Sequence, residues 1–355
     1  MTDLMDPLVV YFNARVHGMK SHLLSNAQLE ELLAQEQVQR LVDALLESEY
    51  RTDMAEALSR YQGADAIEDA LSRNLAATFN RMIKGSTGDF RELVRIFLTR
   101  WDLGAVKGLL RCQHLGLDAE TTVNELYPGP NLPLPVLREL AGADSMERLV
   151  GALIAWNRSL CGGLRKALPA YEESRDLSVL EDVLDRAYFV DQTRALRASG
   201  HPDAEILAEY LGAEIDRINL RTIFMHFQVA GGTDNLRARL LPEGRISIAR
   251  LEAMAATGDL GSALALLDGG DYAPLLSEYL EFVQSQRFGP IERYFERLLI
   301  KTLLKLSRRD VFGIGVMMNF VWLKYNEVIN LRLIARGVAG SIPKGRVRDE
   351  IYLAN

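Results

Sequence analysis

A chain of 355 residues is too long for one ordinary hydrophobic core, which favours two or three domains or repeats. Its 48% hydrophobic and 25% charged residues leave ample apolar side chain for burial and exclude disorder or a collagen-like structure. With 41 basic against 48 acidic residues and a formal charge of -7, it lacks the excess cation that neutralises backbone phosphates, so DNA and RNA are excluded as general partners.

From the N-terminus, Met1-Thr2-Asp3-Leu4-Met5-Asp6 is acidic where an export signal needs basic residues and a long apolar stretch, so no export is expected. Val38, Leu41, Val42 and Leu45 recur at i, i+3, i+4, i+7, and so do Met146, Leu149, Val150 and Leu153. This spacing predicts amphipathic helices. Leu, Ala, Glu and Arg dominate, β-branched alternation is scarce, and prolines gather in punctuation such as Pro128 to Pro135, so the predicted class is all-α. Cys112 and Cys161 lie in no CxxC or Cys/His spacing, which points to a reducing, cytoplasmic setting. The most apolar run, Val311 to Leu323, is interrupted by Asn319 and bounded by Arg308, Arg309, Asp310 and Lys324. It falls short of the roughly 18 to 20 residues that span a bilayer, and a buried helix is expected there.

The chain repeats itself. Arg40-Leu41-Val42-Asp43-Ala44-Leu45 returns as Arg148-Leu149-Val150-Gly151-Ala152-Leu153 and more weakly as Ser262-Ala263-Leu264-Ala265-Leu266-Leu267. Leu24, Leu132 and Ile246 mark corresponding starts. A first charged box contains Glu68 and Arg73, then Glu181 and Arg186, then Glu292 and Arg297. A second follows about 35 residues later, with an acid and a base five positions apart: Asp102 and Lys107, Asp216 and Arg221, Glu327 and Arg332. The second and third copies carry Asn219 and Asn330 where the first has Ala105, so any role of that asparagine is missing from the first copy. The predicted organisation is an N-terminal extension, 1–23, followed by three similar helical domains, 24–131, 132–245 and 246–355. If the two boxed helices of each repeat pack antiparallel, the expected ion pairs are Glu68 with Lys107, Glu181 with Arg221 and Glu292 with Arg332, or reciprocally Asp102 with Arg73, Asp216 with Arg186 and Glu327 with Arg297.

Tyr11-Phe12-Asn13-Ala14-Arg15-Val16-His17-Gly18-Met19-Lys20-Ser21-His22-Leu23-Leu24 resembles the opening of the C subunit of the archaeal and bacterial V/A-type ATPases, a family related to the d subunit of the eukaryotic vacuolar enzyme. The resemblance continues through Phe97-Leu98-Thr99-Arg100-Trp101-Asp102, Asn219-Leu220-Arg221 and Asn330-Leu331-Arg332, and covers the whole chain. It implies a pseudo-threefold funnel of helical domains, peripheral to the cytoplasmic face of the membrane, linking the central-stalk subunits to the membrane rotor ring. It implies a coupling part for proton or sodium transport, without catalysis, cofactor or transmembrane span.

Other readings fit parts of the sequence. A general helical-repeat interaction scaffold is the alternative, although solenoids stack units of 20 to 50 residues. Glu181-Asp182-Val183-Leu184-Asp185 faintly resembles the magnesium-binding helix of all-α terpenoid synthases, but Ser72 and Arg293 interrupt the pattern in the other copies. His17, His22, His114, His201 and His226 show no metal-binding spacing. Gly162-Gly163, Gly231-Gly232 and Gly269-Gly270 lack the context of a phosphate loop and read as helix stops. Neither catalytic, cofactor nor metal residues are expected. Arg308, Arg309, Lys344, Arg346 and Arg348 are candidates to face a partner or lipid head groups.

Overall fold

A computed structural model describes residues 7–228, 236–267, 272–275, 277 and 289–353; the side chains of residues 289–293 and 296 are outside the description. Among the described residues the regular structure is helical, with no strand, as the all-α class requires. The first sequence repeat follows α1 (Pro7–Lys20) and holds α2 (Asn26–Ala34), α3 (Val38–Leu46), α4 (Arg51–Leu58), the long pair α5 (Gly63–Gly85) and α6 (Gly88–Leu115), and the short α7 (Ala119–Glu125). The second holds α8 (Leu134–Ala141), α9 (Met146–Trp156), α10 (Arg158–Cys161) and α11 (Leu164–Ser174), then the long α12 (Ser178–Ala198) and α13 (Ala204–Gln228), and α14 (Leu236–Arg239). In the third, α15 (Ile248–Ala255) and α16 (Leu260–Ala265) precede the long α17 (Gly289–Arg309) and α18 (Ile314–Ala339), and α19 (Lys344–Glu350) follows. Short helices, two long helices and a short helix thus recur in one order.

Local chemistry sets the starts. Ser25, with Gln28, forms a capping box at α2, and Ser145 and Ser247 accept the backbone N–H of Arg148 and Arg250 at α9 and α15. Each oxygen satisfies a donor that the first helical turn leaves open. At the other end of α6, Gly116 adopts φ 70°, a left-handed turn that stops the helix at little steric cost. Gly162 and Gly163 stand between α10 and α11, whereas Gly231-Gly232 and Gly269-Gly270 lie outside the described residues.

Compactness divides the chain differently from its repeats. One unit joins residues 1–184 to 310–355; the other is 185–309, and the division falls inside α12. In the first unit α18 packs on α1, α2, α3, α5, α6 and α19. Trp101 of α6 is ringed by Phe79, Phe97, Trp322 and Tyr325, with ring centroids 5.1 to 5.7 Å away. The second unit closes its own core around Leu220, Ile223, Phe224, Leu251, Met254 and Leu264. Burying an aliphatic or aromatic side chain of this kind contributes about 1.5–3 kcal/mol.

The buried helix expected over Val311 to Leu323 begins only at Ile314, after the Gly313 N-cap. Asp310 accepts the N–H of Gly315 at 3.3 Å and so places the helix start, leaving Val311 and Phe312 outside it, 50% and 46% exposed. No described helix is long and apolar enough to cross a membrane.

Candidate functional site

The acids of the second box do one thing three times: each grips the backbone at the start of a repeat. Asp102 Oδ1 accepts the N–H groups of Asn131 at 3.0 Å and Leu132 at 3.1 Å, while its Oδ2 accepts from Asn131 Nδ2 at 2.8 Å. Asp216 Oδ1 accepts the N–H of Ile246 at 2.9 Å, and its Oδ2 accepts from the Tyr272 hydroxyl at 2.6 Å. Glu327 Oε2 accepts the N–H of Leu24, 303 residues earlier in the chain. Its Oε1 accepts from the Tyr50 hydroxyl at 2.7 Å and from Lys324 Nζ at 2.8 Å. Leu24, Leu132 and Ile246 are the starts read from the sequence. The acid of one repeat therefore holds the start of the next, and the third returns to the first.

All three carboxylates are buried, which makes their hydrogen bonds obligatory. Two glycines let backbone approach them. A Cβ at Gly129 would meet Asp102 Oδ1 and lie 2.8 Å from the Asp102 backbone nitrogen; one at Gly244 would meet Asp216 Oδ1. The repeat pattern marks neither these glycines nor Asn131 and Tyr272. Lys324 did leave a signal: a lone charge at the end of an apolar run needs a buried partner.

Burial raises the Asp102 carboxyl from 3.8 to about 6, against the lowering pull of Asn131 and Leu132. Its folded-state pKa lies above the unfolded value, so the fold binds the extra proton between roughly pH 4 and 6. The contribution of this group to stability therefore grows as pH falls through 6 and is lost as pH rises. Between pH 7 and 5 it amounts to about 1 kcal/mol. Asp102→Asn cannot titrate, so urea unfolding should show the variant losing ground to the native chain by about that amount when pH is lowered from 7 to 5.

The asparagine of the box is a second clasp. Asn219 Oδ1 accepts the N–H of Leu241 at 2.7 Å, and its Nδ2 donates to the carbonyl of the same residue at 2.8 Å. Asn330 treats Tyr352 identically, at 3.1 and 2.8 Å. Ala105 has no amide to offer, and the corresponding Tyr127 instead lies beneath the Arg332 guanidinium, 3.8 Å from ring centroid to Cζ. Asn219→Ala should cost about 1–3 kcal/mol in a denaturant titration, because it orphans two buried backbone groups.

For the two first-box acids whose side chains are described, Glu68 and Glu181, the ion pairs run between repeats. Glu68 binds Arg336 bidentately at 2.6 and 3.0 Å and lies 3.7 Å from Arg332, both in the third repeat. Glu181 binds Arg111 at 2.6 and 2.9 Å and lies 3.9 Å from Lys107, both in the first. Lys107 thus faces Glu181 rather than serving Glu68, and Arg332 serves Glu68. Five residues turn a helix by about 140°, so the acid and base of one box address different neighbours. Arg111 and Arg336, which the boxes did not include, stand one turn beyond Lys107 and Arg332 on the same face.

The reciprocal expectations change too. Arg73 pairs with Asp69 at 2.5 Å and Glu56 at 2.9 Å, and Arg186 donates to the carbonyls of Ala238 and Leu240, the latter at 3.1 Å. Asp102, Asp216 and Glu327 are committed to the repeat starts. Arg221 is exposed and Arg297 half-buried, while the Glu292 side chain lies outside the described residues. Of the partner-facing candidates, Arg309 binds Glu209 at 2.6 Å, Arg348 binds Glu30 at 2.8 Å and Lys344 lies 3.5 Å from Glu36; Arg308 and Arg346 are exposed. No group of three or more His, Cys, Asp or Glu among the described residues is placed to hold a metal ion.

The family model described as the ATP synthase (C/AC39) subunit matches residues 12–350. Among curated relatives, the C subunit of the A-type ATP synthase of Methanothermobacter thermautotrophicus is 31% identical over 328 residues, covering 92% of this chain and 83% of the relative. The C subunit of the V-type ATP synthase of Deinococcus radiodurans is 28% identical over 349 residues, covering 98% and 92%. Its counterpart in the A-type ATP synthase of Haloquadratum walsbyi is 27% identical over 361 residues, covering 96% and 97%.

Proposed function

Because the chain belongs to the ATP synthase (C/AC39) subunit family, which supplies the C subunit of A- and V-type ATPases, we propose that it is a non-catalytic connector of the central rotor. In this reading its three repeats are domains set around a pseudo-threefold axis. The body sits at the cytoplasmic face of the membrane, receives the central stalk at one end and rests on the membrane ring at the other. It carries torque between the nucleotide-hydrolysing head and the ring that moves protons or sodium ions.

The observation that supports this most is the cyclic order of the clasps, in which Asp102, Asp216 and Glu327 each hold the start of the following repeat. A torque carrier needs stiffness and two interfaces, and close-packed interiors with satisfied buried polar groups deform little. A contact that survives repeated rotation should bury at least about 1,200–2,000 Å². Arg308 and Arg346, exposed and basic, are the better candidates for the ring or its surrounding head groups, since Arg309, Lys344 and Arg348 are engaged within the chain.

The test is reconstitution in vesicles with and without this protein, measuring ATP hydrolysis and ion pumping together. Hydrolysis should persist and pumping should be lost when it is omitted. Undiminished pumping in its absence would dispose of the connector.

A further inference from the structure

Of the three clasps, two join repeats that the polypeptide already connects. The grip of Asp102 on Leu132 and that of Asp216 on Ile246 each span only 30 residues of chain. The third, from Glu327 to Leu24, spans 303 residues and holds together two parts of the first unit that are remote in sequence. The polypeptide does not run directly across this seam, and the seam carries more chemistry than its counterparts.

Lys324 sets an ammonium beside the Tyr50–Glu327 hydrogen bond, 2.8 Å from Glu327 Oε1, 2.9 Å from the Tyr50 hydroxyl oxygen and 4.0 Å above the Tyr50 ring. The corresponding positions of the other repeats, one turn before their acids, are Thr99 and Ala213. The tyrosine itself is shared: Tyr272 stands as far beyond Ile246 as Tyr50 does beyond Leu24 and likewise donates to the box acid. What is specific to the seam is therefore an almost fully buried cation on the acid's own helix; at the second clasp the cation near Asp216 and Tyr272 is Arg245, 30% exposed and outside that helix. Around it lie Arg336 with Glu68, Arg348 with Glu30, and the Asn13 amide, which donates to the carbonyls of Phe312 and Gly313.

We propose that the Glu327–Lys324–Tyr50 cluster is the joint that sets how much torque this protein carries before it slips. The proposal rests on the connector reading. At the seam α18 meets the first repeat with no direct covalent continuation, so its resistance to twisting rests on non-covalent contacts. Both charges are almost fully buried and lie three residues apart on α18, so opening the seam would not part them but would strip them of the Leu24 N–H and of the Tyr50 hydroxyl and ring that partner them across it. Such a joint holds until the load exceeds its strength and then opens abruptly. Glu327 and Lys324 are positioning residues: they touch neither nucleotide nor ion and act by keeping the first and third repeats in register.

The experiment uses the reconstituted complex carrying Glu327→Gln or Tyr50→Phe, with ions moved per ATP hydrolysed measured against a rising opposing gradient. Glu327→Gln keeps the shape and an acceptor for Leu24 but removes the charge facing Lys324; Tyr50→Phe keeps the ion pair and removes one hydroxyl. Both should equal the native complex without a gradient and fall progressively below it as the gradient rises, Glu327→Gln the further. Should Glu327→Gln fail to fold, Tyr50→Phe carries the same comparison.

A second arm separates torque from mere stability. Glu30→Cys and Arg348→Cys, at a solvent-accessible ion pair across the same seam, are combined with the cluster variant and joined by a short bis-maleimide. The cross-link should restore the native ratio at high gradient. A native ratio at every gradient in the cluster variants would overturn the proposal, as would a cross-linked complex that slips as much as the open one. Pumping that survives omission of the whole protein defeats the connector reading, whereas pumping that needs the protein but ignores the cluster defeats the seam alone.

Discussion

Glu327→Ala should destabilise the unit formed by residues 1–184 and 310–355 by about 3–5 kcal/mol, because it breaks a buried pair from one side only. The Lys324 ammonium would remain buried beside the Tyr50 oxygen, and the Leu24 N–H would lose its carboxylate acceptor. Removing both charges is a different experiment. Glu327→Gln with Lys324→Met removes both charges while keeping an acceptor for Leu24 and Tyr50, and should cost much less, since the desolvation penalty of two ions disappears with their attraction. Thermal and urea unfolding of the native chain and the two variants at pH 7 measures this. A single variant no worse than about 1 kcal/mol would mean that the pair behaves as if solvated. The two compact units need not melt together, so hydrogen exchange at α18 is the more local readout.

Trp101→Ala should cost a similar amount, about 3–5 kcal/mol, for an apolar reason. Trp101 is 4% exposed and fills the space between α6 and α18, in contact with Phe79, Phe97, Trp322 and Tyr325. Alanine would leave a cavity among rigid rings that cannot collapse to fill it. Trp101→Phe should be distinctly milder. The indole Nε1 is buried without a hydrogen-bond partner, so phenylalanine gives up contact area but no polar bond. Equal losses for the two variants in chemical denaturation would show that the indole N–H is in fact engaged.

The all-α class was legible in the sequence because helical periodicity is a local pattern, and the self-similarity that suggests three repeats is likewise written in the residue order. Leu24, Leu132 and Ile246 were legible as repeat starts for the same reason. That Asp102, Asp216 and Glu327 reach for those starts was not, although the sequence held both ends of each contact. Charge complementarity alone suggested bases as partners, and it does not register that buried backbone N–H groups demand acceptors as strongly as cations do. The ion pairs were placed within repeats for a related reason. Acid and base in one box look like mates on paper, but the turn of the helix sends them to different neighbours, and only packing decides which neighbours those are.

The order of residues is enough to make this chain helical, threefold repetitive and a member of its family. Packing in three dimensions was needed to bring α18 against the start of the chain and to make Lys324, at the end of an apolar run, the cation buried at that contact. A repeat pattern records what each segment contributes, whereas the closing contact joins residues 303 positions apart and depends on which faces meet after every intervening helix has packed.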